Sequence, residues 1–375
     1  MDFSRLTEYM DTLRQVGVPG CDLAIYRDHE PIYRHLAGCC DADAKMPMRG
    51  DELYNLYSCT KVFTTCAAMQ LIERGLMGLD DPVADYLPAF GKLTVRVGDI
   101  ICPASRTMTI RHLMSMQGGL DYEMETPAIL EALARSGGKA DARELMEAKA
   151  GEPLCFEPGT DFLYSLCHDV LAAVIEVVAG VRFSVYLKQN LFEPLNLQTT
   201  GFAAKDPARL CAQFIHMPDG RLEVVPPESN RFFLSPNYES GGAGLISDVM
   251  DCITFADALA CGGVSVTGRQ IISPETMQLW RANQLCPKAR TTFDEWHRLG
   301  YSYALGVRTR VLPNAGGRGQ VGEFGWDDAA GAWMMIDPYN RLSAFFAMHV
   351  RDFGYAFDVI HPRLRDLIYG GLDMN

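Results

Sequence analysis

Ser58 and Lys61 stand three residues apart in the stretch Leu56-Tyr57-Ser58-Cys59-Thr60-Lys61-Val62-Phe63. On a helix that spacing puts both side chains on one face, with Cβ atoms about 5–6 Å apart. A serine hydroxyl is a weak nucleophile until a neighbour takes its proton, and a lysine in its neutral form can do that. A helix beginning here also offers backbone N–H groups that stabilise developing negative charge. The chemistry these residues suggest is attack by a serine oxygen on a carbonyl carbon. The spacing alone does not establish it, because serine at a helix start is most often an N-cap. The chain also holds a second Ser-x-x-Lys, Ser136-Gly137-Gly138-Lys139. Its glycines each cost a helix about 1 kcal/mol against alanine, so that copy reads as a loop with no shared face. After Ser58 the chain instead runs KVFTTCAAMQLIER, with no Gly or Pro before Gly75.

The surrounding segment, YNLYSCTKVFTTCAAMQLIERGLMGLDDPVADYLPAF, resembles the start of a penicillin-binding-protein/β-lactamase-like serine hydrolase. It has the S-x-x-K helix, a stop at Gly75, and then Leu79-Asp80-Asp81-Pro82-Val83 running on to Tyr86-Leu87-Pro88. The resemblance continues through Met108-Thr109-Ile110-Arg111-His112-Leu113 and Phe192-Glu193-Pro194-Leu195, and it is closest to the class C, esterase-like branch. It implies an α+β fold of the β-lactamase/transpeptidase type: an antiparallel sheet flanked by helices, plus a mostly helical lobe. It also implies a role for Tyr164. The stretch Glu157-Pro158-Gly159-Thr160-Asp161-Phe162-Leu163-Tyr164-Ser165-Leu166 is similar to the family's P-G-x-x-x-x-Y-S-N, which supplies the catalytic tyrosine. A tyrosine near a lysine loses its proton more readily, and it can then serve as base to Ser58 and acid to the leaving group. Without the flanking match, one tyrosine among 15 would be read as a core aromatic.

Two departures from the family pattern bear on substrate. The position two after Tyr164 is Leu166, where β-lactamases and peptidases of the family have an Asn that holds the substrate amide; esterases of the family commonly lack it. The stretch Glu323-Phe324-Gly325-Trp326-Asp327-Asp328-Ala329-Ala330-Gly331 takes the place of the family's H/K-T/S-G strand, with Trp326, Asp327 and Asp328 at the three positions. The backbone role of that strand tolerates any side chain, so the expected oxyanion donors are the N–H groups of Ser58 and Ala329. The cationic role is lost, and a substrate carboxylate is expected to bind poorly, all the more if one aspartate faces the cleft. Strand alternation lets only one do so. Trp326 offers an aromatic face to an amine or an acyl chain.

The remaining candidates weigh less. Gly241-Gly242-Ala243-Gly244 lacks the Lys-Ser/Thr of a phosphate loop and reads as tight packing near the cleft. His168 and Asp169 suggest a helix start, with Asp169 at the positive end of the dipole, rather than a Ser-His-Asp triad. The eight histidines show no H-x-x-H or H-E-x-x-H spacing, so no metal site and no cofactor are expected.

The elements that must position these groups follow from pattern. Phe3, Leu6, Met10 and Leu13 recur at helical spacing. Cys21 to Arg27 and Ile32 to Ala37 read as strands around the turn Asp28-His29-Glu30-Pro31. Residues from about 61 to 210 read as mostly helical, including Asp169 to Ala179 closed by Gly180, and a helix begun by Ser184. From Gly300 the strands YALGVRTRVL, EFGWD, GAWMMIDP and LSAFFAMHV lead to a last helix, AFDVIHPRLRDLIYG, in which Pro362 marks a start or a kink. The early strands then join the late ones. The implied division is a discontinuous lobe of residues 1–60 and 211–375 and a helical lobe of residues 61–210, with Ser58 at the seam.

A chain of 375 residues with 48% apolar content has room for two lobes. No apolar run approaches the roughly 20 residues of a membrane span, and charges interrupt the N-terminus throughout. Twelve cysteines without a C-x-x-C pair suggest reduced thiols and a cytoplasmic site. A net charge of −13 argues against nucleic acid and anionic membranes as partners. The expectation is a hydrolase that forms an acyl-enzyme on small esters, its partner a small acyl substrate. A β-lactamase or a D-amino-acid amidase or peptidase is the alternative. A non-catalytic binding protein of the same fold is the contrasting class. Oligomeric state is not legible.

Overall fold

The structure, a computed structural model, describes every residue except 44, 297, 314 and 375. Helix α1 (Ser4–Thr12) buries Leu6 and Met10, four residues apart, on one face. Strands β1 (Gly20–Arg27) and β2 (Glu30–Gly38) form a hairpin whose two turn residues, Asp28 and His29, both have positive φ (56° and 69°). That backbone matches the twist of the flanking strands. The second strand therefore starts earlier than the pattern suggested and includes Pro31, which an edge strand tolerates.

The chain then leaves the sheet. Helix α2 (Thr60–Glu73) is buried around its whole circumference from Thr60 to Leu71. Helix α3 (Cys167–Ala179) ends on Gly180, whose φ of 67° is the left-handed cap that glycine takes without penalty. Helix α4 (Val249–Ala260) starts at Asp248, whose carboxylate accepts from the N–H of Asp251. Strands β3 (Tyr301–Tyr303), β4 (Arg308–Arg310), β5 (Phe324–Gly325), β6 (Trp333–Asp337) and β7 (Leu342–Ala347) return to the sheet before helix α5 (His361–Gly371). Pro362 lies in the first turn of α5, where a missing N–H costs nothing, and a π turn over Ala356–Ile360 feeds into it. Ser184 is not the cap of its helix: that helix is Phe183–Leu187, and the Ser184 hydroxyl donates to Glu239 (2.7 Å).

The sheet order is β2-β1-β7-β6-β5-β4-β3, antiparallel throughout, with Asp22 opposite Ala347 and Arg27 opposite Leu342. The expected α+β fold, an antiparallel sheet flanked by helices, is what forms. Alternation along the strands separates two cores. Leu23, Ile25, Met335, Ala344 and Phe346 face α1 and α5. Ala24, Met334, Ile336, Phe345 and Ala347 face α4, and this second cluster continues without a break into α2 and α3. The helical middle of the chain thus shares its core with the sheet. No single described helix is long and apolar enough to cross a membrane, and all twelve cysteines are unpaired.

Candidate active site

Ser58 sits in a tight turn, Tyr57–Cys59, that enters α2. No side chain caps that helix, so the Ser58 hydroxyl is free of the N-cap role. Tyr57 has φ of 37°, a rare conformation for a bulky residue. Tertiary contacts hold it there. Its hydroxyl donates to Gln213 Oε1 and to the carbonyl of Ser229, and its ring meets Phe232 edge-on. The bend lifts Ser58 to the edge of a cavity of about 430 Å³, lined also by Tyr122, Tyr164, Phe232, Trp326 and Ala329.

Lys61 is fully buried on the face of α2 that carries Ser58. Its Nζ lies 3.1 Å from Ser58 Oγ, 2.8 Å from the Tyr122 hydroxyl and 2.7 Å from the carbonyl of Gly242. Burial lowers its pKa to about 7, with Asp169 pulling the other way. Near neutrality much of it is therefore the free amine. A neutral amine has two N–H donors and one lone pair. Gly242 can only accept, Tyr122 takes the second N–H, and the lone pair is left for the Ser58 proton. A Cβ at Gly242 would stand 2.5 Å from Asp169 Oδ2, and one at Gly241 2.4 Å from the His168 carbonyl, which only a backbone shift could relieve. The Gly241–Gly244 stretch is thus backbone packing against the lysine. Asp169, in the first turn of α3, accepts from Tyr238 and Ser240 (2.8 and 2.6 Å). His168 is buried, with Nε2 3.3 Å from the Met114 carbonyl, and forms no triad with Ser58.

Tyr164 is half-buried beside this pair, but the lysine does not reach its oxygen by a hydrogen bond. Lys61 Nζ lies over the ring, 4.6 Å from its centre. The Tyr164 oxygen instead accepts the indole N–H of Trp326 at 2.7 Å, and the two rings stack at 5.5 Å. Burial pushes the Tyr164 pKa well up, while Ser58 and Trp326 pull it down. The resting tyrosine is the neutral phenol, contrary to the expectation of a readily lost proton. Of the two side chains, Lys61 is the one whose neutral form is reached near pH 7.

Trp326, Asp327 and Asp328 follow β5 and begin the turn to β6. Trp326 is buried with its indole N–H on Tyr164. Asp327 is held by the guanidinium of Arg298 through two bonds of 2.5 and 3.0 Å. The Asp328 carboxylate folds back on its own turn and accepts from the N–H groups of Ala330 (2.7 Å) and Ala332 (2.9 Å), and burial pushes its pKa well up. Both bonds end on Asp328 Oδ1, and its Oδ2 is buried without a partner among the described residues. Asp327 sets its charge against Arg298 and burial pushes Asp328 towards the neutral acid, which weakens the repulsion anticipated from the composition of this stretch. Its turn directs Ala329 to the cavity, and among the described residues neither the Ala329 nor the Ser58 N–H has a partner inside the protein. Leu166 is the other correction. It stands at the N-cap position of α3 with no exposure and packs in the core rather than lining the cavity, as an apolar side chain at that position must.

Sequence reasoning missed the cavity's other walls. Tyr122 carried no motif, yet it bonds Lys61. Arg231 and Arg298 also line the cavity, Arg231 exposed at the rim and Arg298 paired to Asp327. Among the described residues, one group has metal-ligand spacing: His29, Asp257 and Cys261. It ties the β1–β2 turn to the end of α4 through a His29–Asp257 bond of 2.7 Å, and none of its members lines the cavity.

A family model described as beta-lactamase matches residues 4–367. Esterase EstB of Burkholderia gladioli is 29% identical over 98% of this chain and 95% of its own. Acyltransferase calJ of Penicillium decumbens is 26% identical over 86% and 82%. Among solved structures, EstCE1, described as a hydrolase with promiscuous acyltransferase activity, superposes with a TM-score of 0.79 at 26% identity, covering 98% of each chain. Unliganded simvastatin synthase LovD from Aspergillus terreus shares the fold, with a TM-score of 0.76 at 20% identity over 99% and 98%. With the match running nearly end to end, the chain belongs to the beta-lactamase family and is a serine hydrolase of that family.

Proposed function

We propose that the protein hydrolyses small esters through an acyl-enzyme on Ser58. The observation that carries this reading is Lys61 Nζ, buried, with a pKa of about 7, at 3.1 Å from Ser58 Oγ. A base with a pKa near the working pH is the most effective one. Lys61 takes the Ser58 proton as Oγ bonds to the ester carbonyl carbon. The carbonyl oxygen becomes an oxyanion beside the N–H groups of Ser58 and Ala329. As the tetrahedral species collapses, the C–O bond to the leaving alcohol breaks, and Tyr164 gives that oxygen its proton. The proton on Lys61 then returns to Tyr164 through a water that enters as the alcohol leaves, since the two groups share no direct hydrogen bond. Water repeats the sequence on the acyl-enzyme and releases the acid. Leu166, buried where amide-cleaving relatives carry Asn, favours esters over amides and β-lactams. The names of EstB and of EstCE1 support the same class, and an alcohol in place of water as acceptor is compatible with the acyltransferases among the relatives.

A fluorophosphonate probe read by intact mass, with p-nitrophenyl esters run beside nitrocefin, tests the proposal. One adduct on the wild type and none on Ser58→Ala is expected, with ester turnover lost by orders of magnitude and an unchanged melting temperature. Ester turnover retained in Ser58→Ala overturns the assignment. A folded wild-type protein that takes no probe and turns over no ester is a binding protein.

A further inference from the structure

Away from the Ser58 cavity, three side chains of different chemistry meet where the β1–β2 turn reaches the end of α4. His29 comes from the turn, Asp257 from the last turn of α4, and Cys261 is the residue that closes the helix. Asp257 and Cys261 are four apart and share a helix face, whereas His29 is 228 residues from Asp257 in sequence. No spacing rule joins them. The His29 nitrogen, the Asp257 oxygen and the Cys261 sulfur all lie within 4.8 Å of one another. Nothing in the proposed mechanism uses them.

The place suits a cation in several respects. Imidazole, carboxylate and thiolate are ligands that zinc takes, and bonds of the usual lengths in a tetrahedron put them roughly 3.3–3.6 Å apart. His29 Nδ1 stands 2.7 Å from Asp257 Oδ2, and Cys261 Sγ stands 3.8 Å from Asp257 Oδ1. Rotation of the His29 and Cys261 side chains closes the difference. The carbonyls at the end of α4 favour positive charge there. Asp257 and Cys261 are each 4% exposed, while the His29 side chain is 20% exposed, which leaves one open side.

His29 is also an unusual choice for its backbone. Its φ of 69°, after 56° at Asp28, belongs to a turn that favours Asn-Gly. The histidine is therefore not explained by the turn, and its ring is directed at Asp257. Arg341, whose charge is felt at Cys261 and Asp257, is paired with Asp28 (2.5 Å). Burial, with the Asp257 charge, pushes the Cys261 thiol up to about 11, so a metal must displace its proton.

We propose that His29 Nδ1, Asp257 Oδ2 and Cys261 Sγ bind one zinc-type divalent ion, with water in the fourth position, clamping the outer hairpin of the sheet to α4. As the sulfur–metal bond forms, the thiol proton leaves to solvent. The proton that His29 Nδ1 donates to Asp257 is replaced by the metal, and the neutral imidazole carries its proton on Nε2. Carboxylate and thiolate together balance the two positive charges. A thiolate and an imidazole select such an ion over magnesium or calcium, which prefer oxygen.

The test is a cobalt(II) titration of the full-length protein, reduced and freed of metal with a chelator. One equivalent should raise a thiolate-to-cobalt charge-transfer band in the near ultraviolet and tetrahedral d–d bands in the visible. Zinc should displace the cobalt, and the affinity should increase with pH. Cys261→Ser should abolish the charge-transfer band. His29→Asn, which keeps a residue the turn favours, should weaken cobalt binding at least tenfold, a loss that even a residue behind a metal ligand can produce. Melting curves without metal check that both variants are folded. A wild type that gives no thiolate band overturns the proposal and leaves the three side chains as a hydrogen-bonded latch. A band that survives Cys261→Ser overturns it too, since the cobalt then sits on another of the twelve cysteines. So does an affinity that His29→Asn leaves unchanged.

Discussion

Replacing Trp326 by Phe isolates one hydrogen bond of the site. The indole N–H reaches the Tyr164 oxygen at 2.7 Å, with the rings stacked at 5.5 Å. Phenylalanine keeps an aromatic ring for that stack and removes the donor. The backbone is unaffected, since the Trp326 carbonyl accepts from Met334 N–H (2.8 Å) whatever the side chain. In the proposed mechanism Tyr164 gives up its proton during leaving-group departure, so negative charge grows on the oxygen that Trp326 holds. A bond to a neutral acceptor contributes about 1 kcal/mol, and one to a charged acceptor about 1.5–3 kcal/mol. Only the difference, roughly 0.5–2 kcal/mol, accelerates the reaction. Trp326→Phe should therefore lower kcat by roughly 2–30-fold, with KM little changed. The assay is kcat and kcat/KM for p-nitrophenyl butyrate across pH, with a thermal melt to register the smaller side chain in a buried site. Activity should rise with pH through about 7 as Lys61 loses its proton, and that limb should stay in place in the variant, because Trp326 is not among the groups shifting the lysine. A kcat within twofold of wild type at every pH would show that no charge develops on Tyr164. The other hydroxyl at Lys61, Tyr122, would then be the candidate proton carrier.

Two further substitutions probe the lysine and the turn. The folded-state pKa of Lys61 is lowered from 10.5 to about 7, so between those values the unfolded chain binds more protons and stability rises with pH. The cost of burying the charge, about 5 kcal/mol, is fully present below pH 7 and fades towards pH 10.5. Lys61→Met should be inactive, and its stability by urea denaturation should gain on wild type at pH 7 relative to pH 9.5; an equal difference at both pH values refutes the shift. Asp328→Gly, which restores the family's residue, should cost about 1–3 kcal/mol and lower kcat, because two N–H groups lose their acceptor and the Ala329 turn loosens. The rate ratio between a carboxylate substrate and its methyl ester should not move, and a narrowed ratio would mean that Asp328 faces the substrate after all.

Much of the fold follows from local rules that act along the chain. The period of two in β1, β6 and β7 separates two cores whatever covers them, and the stop at Gly180 is a property of glycine at positive φ. The Ser58–Lys61 pairing belongs to the same class, since a three-residue step on a helix guarantees a shared face. The site's chemistry is another matter. The Tyr122 hydroxyl and the Gly242 carbonyl that orient Lys61 stand 61 and 181 residues away in sequence. The indole that holds Tyr164 is 162 residues away, and the arginine that neutralises Asp327 is 29 away. No spacing rule connects such residues. Side-chain types named Asp327 and Asp328 as charges, and only their partners decided that one is paired and the other turned inward. What lowers the Lys61 pKa is likewise absent from its own helix: an exposed lysine at that position would stay protonated, and only the packing of α3 and the Gly241–Gly244 backbone around it removes the water that would keep it so.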